Sequence, residues 1–441
     1  MRRPHDQGID DAIARFLNSF SKPARLLVAV SGGGDSVGLL MALDAALQSG
    51  RYPDFTVTAC TVDHALRDAS VAEARWVAEL CARRGIVHVT RCWSGEKPAR
   101  GIQAAARSAR HTLLFEGARA VGADAIVTAH NRDDRRETVA MRMARSTEGA
   151  GLAGIAPATL LFGSVWVLRP LLGVSREEIR AYLLGIGQPW LEDPSNENRA
   201  FERVRIRKEG ADGLLDERAQ SAAAARMRHA REGAAYLARH MQVFDASVAC
   251  LPSASLAALE GQAAWLAFLS VVAVLGGREH RLEKDAADRL AAFVHGGELT
   301  RITAGRVAFD RRRDGLFLYR EMRGTEALEI AADSEAVWDG RWRIGNHGRT
   351  ALFVDAGRGA ATYCWDGVPA GVVARAARAR PRLRAGGGEP APSGFSAVPV
   401  LSPFDRYLPL FDLPLADAIA RLFALPPFSK PPAAMAESVC S

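Results

Sequence analysis

Along the first half of the chain, short apolar runs alternate with stretches of helical spacing. Gly8 to Phe20 carries its apolar residues at helical intervals and closes at Ser21-Lys22-Pro23, which predicts an amphipathic helix. Leu26-Leu27-Val28-Ala29-Val30 is a continuous apolar run, the pattern of a strand buried on both faces. A glycine-rich turn follows, and the run from Val37 to Leu43 opens a helix. Phe55 to Val62 predicts a second strand, ending at Asp63-His64. Ala72 to Arg84 reads as helix, Val87-His88-Val89 as a short strand, and Gly101 to Ala120 as a long helix rich in Ala and Arg. Ala125-Ile126-Val127-Thr128 is another buried strand, with helix resuming after Asp134. Such alternation predicts a doubly wound α/β domain with a parallel sheet.

Beyond about residue 212 the pattern changes. Asp216 to Phe244 predicts one long helix with a basic face carrying Arg218, Arg226, Arg228, Arg231 and Arg239. Helical segments follow at Ser255–Leu275 and Glu283–Val294, then a hairpin between Thr300 and Leu318, then a strand end at Ala336–Gly340. A stretch rich in Ala and Arg, Ala374 to Pro381, leads to Gly386-Gly387-Gly388, Pro390 and Pro392, which reads as a flexible linker. The proline-rich end from Leu425 reads as a tail. The expected organisation is therefore a doubly wound parallel-sheet domain over 1–212, a mainly helical domain over 213–325, and a small C-terminal region over 326–441 with a Gly/Pro-rich linker and tail.

Composition narrows the setting. At 441 residues and 48% hydrophobic, the chain can build sizeable cores in more than one domain. The net charge of +7 suits an anionic partner, nucleic acid ahead of membrane, and is also compatible with simple solvated basic faces. Six scattered cysteines without a C-x-x-C pair argue against a zinc ribbon, a redox motif or a disulfide scaffold. The polar start lacks the apolar run of a signal peptide, and no apolar stretch is long enough to span a membrane. A cytoplasmic protein is expected, with a homodimer among its expected assembly states.

The chemistry concentrates at strand ends. Ser31-Gly32-Gly33-Gly34-Asp35-Ser36 links a buried strand to a helix, so backbone N–H groups can close on an anion at a helix N-terminus. No Gly-Lys-Ser/Thr follows, which excludes a Walker A loop. Asp35 suits either a helix cap or a metal ligand. Asp134 and Glu137, three apart, share a helix face. They form either a capping box, with Asp134 as N-cap, or an acidic pair where ligands collect.

The turn matches the S-G-G-x-D-S signature of the PP-loop ATP pyrophosphatases. Within that superfamily the chain resembles the tRNA(Ile)-lysidine synthetase family. The likeness rests on Val62-Asp63-His64-Ala65-Leu66-Arg67, on the Gly101–Arg110 helix, and on Thr128-Ala129-His130 through Glu137-Thr138. Gly151–Gly154, Arg169-Pro170-Leu171-Leu172, Asp193–Asn196 and Arg203–Arg207 continue it in order. The sequence departs from the family pattern at Asn131, at Arg145–Glu148 and at Val204.

The resemblance implies ligation of lysine to C2 of the wobble cytidine in an isoleucine tRNA with a CAU anticodon. ATP activates the cytidine, with Mg²⁺ as companion ion. It implies that Ser31, Gly32, Gly33, Gly34 and Ser36 cradle the pyrophosphate and that Asp35 holds Mg²⁺. It makes Asp134 and Glu137 the lysine pocket, with Arg110 on the lysine carboxylate and either acid open to a proton-transfer role. Arg203, Arg205 and Arg207 are assigned to phosphates of ATP or tRNA. Asp63 and His64 are expected either along the path of the nucleotide or as a hydrogen-bonded structural pair, and His130 is expected to line the site. Two other readings are a PP-loop tRNA thiolase, which the missing cysteine pair disfavours, and a catalytically idle tRNA-binding protein.

Overall fold

Strand order in a doubly wound sheet decides which loops become neighbours. A computed structural model of the protein describes residues 8–66, 69–144, 149–192, 214–357, 363–385 and 394–435. It divides into two units: Met1–Arg226 with Pro409–Phe411 and Ser429–Ser441, and Met227–Leu408 with Asp412–Phe428.

In the first unit, helix α1 (Ile9–Asn18) leads into strand β1 (Arg25–Ala29), followed by α2 (Gly34–Gln48), β2 (Thr56–Asp63), α3 (Ala69–Arg84) and β3 (Val87–Cys92). The chain then crosses back through α4 (Ile102–Ala120) to β4 (Ala125–Val127) and α5 (Arg132–Met143). A hairpin of β5 (Ala158–Leu161) and β6 (Val165–Leu168) and the helix α6 (Arg176–Gly185) follow. Strands β6, β4, β1, β2 and β3 lie parallel in that order, with β5 antiparallel outside β6. A short strand ending at Pro409 completes the seven-stranded sheet. This bears out the predicted α/β doubly wound architecture.

The order reverses between β1 and β4. From β1 the chain proceeds to β2 and β3 on one side, then returns past β1 to β4 on the other. Right-handed crossovers then place α2 and α3 on one face and α4 on the opposite one. The ion pair of Arg84 on α3 with Asp44 on α2, at 3.4 Å, agrees with this. The loops leaving β1 and β4 become neighbours at the carboxyl edge, the switch point where doubly wound sheets bind ligands.

Helix α2 is buried from Ser36 through Asp44, because it lies between the sheet and other helices. Its contact with α6 is close. A Cβ on Gly38 would stand 2.4 Å from Ile179 Cγ2, so only glycine lets the two helices approach this far. Leu425–Met435, which reads as a tail in sequence, includes ordered contacts in this unit: Trp166 Nε1 donates to Ser429 O (3.2 Å) and Ala434 N to Ser19 O (3.0 Å).

The second unit takes up helix α7 (Leu214–His240) after Arg226 and adds α8 (Gln262–Gly276) and α9 (Lys284–Gly296), close to the helical predictions. It also carries a five-stranded antiparallel sheet of β7 (Gln242–Phe244), β8 (Val248–Pro252), β9 (Arg301–Ala304), β10 (Val307–Arg311) and β11 (Gly315–Arg320). Its order is β7-β8-β11-β10-β9, so the predicted hairpin is the edge of a sheet that a mainly helical reading does not include. Two three-stranded sheets follow between Leu328 and Pro399. In the turn after the strand Ser334–Trp338, the buried carboxylate of Asp339 binds Arg306, Arg320 and Arg341. Part of the stretch read as a linker is ordered, as helix α10 (Ala370–Ala377) and a strand at Pro381–Ala385.

Candidate active site

The glycine turn has a backbone suited to an anion. Gly32 has φ +87°, and a Cβ there would lie 2.7 Å from Leu191 Cδ1, so both backbone and packing favour glycine. Leu191 N donates to Gly32 O (2.9 Å), and the Trp190 indole stands over Gly34. Helix α2 starts after Gly33 with no side-chain cap, which leaves its first N–H groups for a ligand. Ser31 N donates to Ser36 Oγ (3.1 Å), which itself donates to Gly33 O (3.0 Å). Asp35 is therefore not a capping residue; it lies inside the first turn with its carboxylate available for other work.

On the neighbouring loop, α5 begins with a capping box, but not the expected one. Asn131 is the N-cap: its side chain accepts from Asp134 N (3.0 Å), and Asp134 Oδ2 accepts from Asn131 N (3.1 Å). The departure at Asn131 thus has a structural role, and Glu137 is released from capping. Asp134 Oδ1 and Glu137 point instead at a third group.

That group is Arg176, the first residue of α6. Its Nε donates to Asp35 Oδ2 (3.2 Å), its Nη2 to Asp134 Oδ1 (3.0 Å) and its Nη1 to Glu137 Oε1 (3.4 Å). One guanidinium thus joins the carboxylate at the anion cradle to the acidic pair of α5. Three negative charges against one positive leave a net −2, which favours a further cation. Burial raises the Asp35 carboxyl above its ordinary value although Arg176 opposes the shift. Burial pushes Asp134 up to about 6 against the Asn131 hydrogen bond and Arg176, with Asp35 and Glu137 adding to the rise.

A group of arginines influences one another's charge near the site. Burial and the neighbouring Arg107 lower Arg110, while Asp134 attracts its charge. Arg169 is pushed down to about 9 by burial and by Arg107 and Arg110. An acidic pair with an arginine within electrostatic range of Asp134 suits a zwitterion carrying both ammonium and carboxylate.

The structure brings Ser31, Gly32, Gly33, Gly34, Asp35 and Ser36 together with Asp134 and Glu137 through Arg176, and sets Arg110 near Asp134. Asp63 accepts from Ala65 N (2.7 Å), and His64 has a lowered pKa from burial and Arg110. His130 Nδ1 is 2.9 Å from Thr128 Oγ1. Arg203, Arg205 and Arg207 lie outside the described residues, as do Asp193–Asn196, Arg145–Glu148 and Val204. Sequence reasoning missed Arg176. Ser175 and Glu178 around it form a capping box, and that local signal hides its long-range role.

Among the described residues no three His, Cys, Asp or Glu side chains are arranged to hold a metal. Mg²⁺ on nucleotide phosphates needs only one or two protein carboxylates, and Asp35 beside the cradle fits that requirement. Cys60 and Cys81 are buried with thiols raised to about 11, unsuited to sulfur transfer.

A glycine cradle at the switch point of a parallel sheet, with an aspartate just inside the helix it opens, defines a PP-loop ATP-binding protein. The family described as PP-loop domain matches residues 6–212. The tRNA(Ile)-lysidine synthase of Rhizobium meliloti (strain 1021) is 41% identical, over 97% of this chain and 98% of that protein. The enzyme of the same name from Mesorhizobium japonicum is 39% identical, over 92% and 94%. The chain belongs to the tRNA(Ile)-lysidine synthase family. Among solved structures, a U34-tRNA thiolase from Methanococcus maripaludis aligns with a TM-score of 0.39 at 14% identity, over 48% of this chain and 74% of that one.

Proposed function

We propose that this protein joins lysine to C2 of the wobble cytidine of a CAU-anticodon isoleucine tRNA, at the expense of ATP. The observation that carries the reading is the single guanidinium separating Asp35 at the phosphate cradle from Asp134 and Glu137. A cation pocket therefore adjoins the place where a nucleotide would be split. The α2 N-terminus and the Ser31–Ser36 turn bind the β- and γ-phosphates. Asp35 would hold the Mg²⁺ that accompanies ATP, and that ion would screen phosphate charge. The C2 oxygen of the cytidine attacks the α-phosphate and pyrophosphate leaves. Lysine, its ammonium held by Asp134 and Glu137 and its carboxylate by Arg110, then loses a proton. Its ε-amine attacks C2, and AMP departs with the former C2 oxygen. With its raised pKa, Asp134 is the better placed of the two acids to take that proton.

Arg203, Arg205 and Arg207 contribute phosphate contacts. We place the reaction in the cytoplasm, with a homodimer as the assembly to examine. In the described residues no single helix is long and apolar enough to cross a membrane.

Labelled lysine, ATP, Mg²⁺ and the CAU-anticodon transcript provide the test. Label should enter the tRNA, and Asp35→Asn and Asp134→Asn should each abolish incorporation. An active preparation that splits ATP without labelling the tRNA would refute the acceptor.

A further inference from the structure

We propose that Arg176 is a positioning residue that keeps the nucleotide half and the lysine half of the site in register. The inference rests on the reading that the lysine ammonium enters beside Asp134 and Glu137. Asp35 stands on α2 after β1, whereas Asp134 and Glu137 stand on α5 after β4. Like charges on the two helices repel. A fork with three nitrogens, each donating to a different carboxylate, holds all three in one geometry. Lysine at this position has a single point of charge and cannot span them.

The fork is itself anchored. Arg176 N donates to Asp133 Oδ2 (2.7 Å), and Arg132 N donates to Val174 O (2.9 Å). Arg132 Nη2 pairs with Glu178 Oε2 at 3.2 Å, tying the start of α5 to the start of α6. Gly38 lets α6 lie close to α2, so Arg176 reaches Asp35 from one side and α5 from the other. These backbone ties make Arg176 a permanent part of the wall. It is not a stand-in cation that substrate must expel. The net −2 that remains beside it is available to the incoming ammonium.

The test compares Arg176→Gln and Arg176→Lys with the wild-type chain under steady-state lysine incorporation. Glutamine should raise the KM for lysine at least tenfold and the KM for ATP by a smaller factor, since two of the three carboxylates that Arg176 binds belong to the lysine half and one, Asp35, to the nucleotide half. Arg176→Lys should fall between the two, restoring charge but not the three-way geometry. An unchanged or lowered lysine KM in Arg176→Gln would overturn the proposal. So would equal rises in both KM values together with a loss of folding stability. If Arg176→Gln does not fold, Arg176→Lys carries the same split on its own. Failure of the wild-type chain to incorporate lysine would instead defeat the functional reading, so the two failures are separable.

Discussion

Replacing Gly38 with alanine tests whether the α2–α6 contact sets the geometry of the site. Ordinarily this change in a helix would stabilise the chain by about 0.5–1 kcal/mol, because glycine is the poorer helix former. Here the new methyl would meet Ile179 Cγ2 at 2.4 Å. Carbon atoms in good contact lie about 3.5–4.0 Å apart, so the helices must separate by about 1 Å or Ile179 must leave its rotamer. Overpacking of this kind costs about 1–3 kcal/mol, so against the helix gain the predicted net loss is about 1 kcal/mol at mid-range and at most about 2.5 kcal/mol. Asp35 and Gly38 share one face of α2, and Arg176 and Ile179 share one face of α6. A shift at Gly38–Ile179 therefore lengthens the 3.2 Å bond between Arg176 and Asp35 past hydrogen-bonding range. Lysine incorporation should lose about tenfold in kcat/KM, the equivalent of about 1.4 kcal/mol. Stability is read from urea unfolding of the full chain, following the transition that ATP displaces. The Gly38→Ala, Ile179→Ala double variant completes the cycle. Removing Cγ2 makes room for the methyl, so the pair should be less damaging than the sum of the singles by about 1 kcal/mol or more. A Gly38→Ala protein more stable than wild type, or strictly additive effects, would refute the reasoning.

Four further outcomes are expected. With the Asp134 carboxyl raised to about 6, the KM for lysine should climb and kcat should fall as pH drops below 6; a flat lysine KM from pH 8 to 5 would contradict the ammonium contact. Because that native value lies above the unfolded one, ionised Asp134 costs stability above pH 6 and the cost disappears as pH falls through it. Asp134→Asn should therefore fold at least as stably as wild type at pH 7.5 yet transfer no lysine, as thermal unfolding and incorporation would show. Asp216 has the opposite sign: burial raises its carboxyl, but the bonds from Arg136 and the charges of Arg135 and Arg136 outweigh it and hold the carboxyl below its usual range. Asp216→Ala should cost about 2 kcal/mol at neutral pH, the scale of charge-assisted hydrogen bonds. That difference should be complete above the unfolded value near 4 and vanish as pH falls through the lower native one; a constant gap would refute it. Finally, tRNA binding should weaken steeply with salt, and replacing Arg203, Arg205 and Arg207 by Gln should reduce the log–log slope by about 2–3; an unchanged slope would remove those arginines from the phosphate contacts.

How much of this was legible in sequence depended on whether a residue's role is local. The apolar runs at Leu26–Val30 and Ala125–Thr128 indicate buried parallel strands, and ligands collect where such strands end. Ser31–Ser36 and the Asp134–Glu137 segment could therefore be found without coordinates. What periodicity could not supply was the strand order, and with it the adjacency of the two loops. The capping assignment failed for a related reason: Asp134 and Asn131 are both good N-caps, and the folded chain starts α5 after Asn131, which puts Asp134 at the third helical position. Composition misleads in the same way around Ala374–Pro381. Its arginines read as a solvated linker, but Arg375 pairs with Asp310 at 2.7 Å and Arg380 lies 4.6 Å from the Tyr363 ring centre, so their partners stand elsewhere in the chain.

Arg176 is the sharpest case, because its neighbours in sequence explain it completely and wrongly. Ser175 and Glu178 satisfy each other as a capping box, which leaves an arginine at the first helical position with no evident task. Its three carboxylate partners lie 141, 42 and 39 residues away in sequence. Only the switch between β1 and β4, and the close approach at Gly38, bring them within reach of one guanidinium. The acids themselves can be read from the strand ends that present them. The cation that pairs with them depends on packing between helices, and so it could be found only in the folded chain.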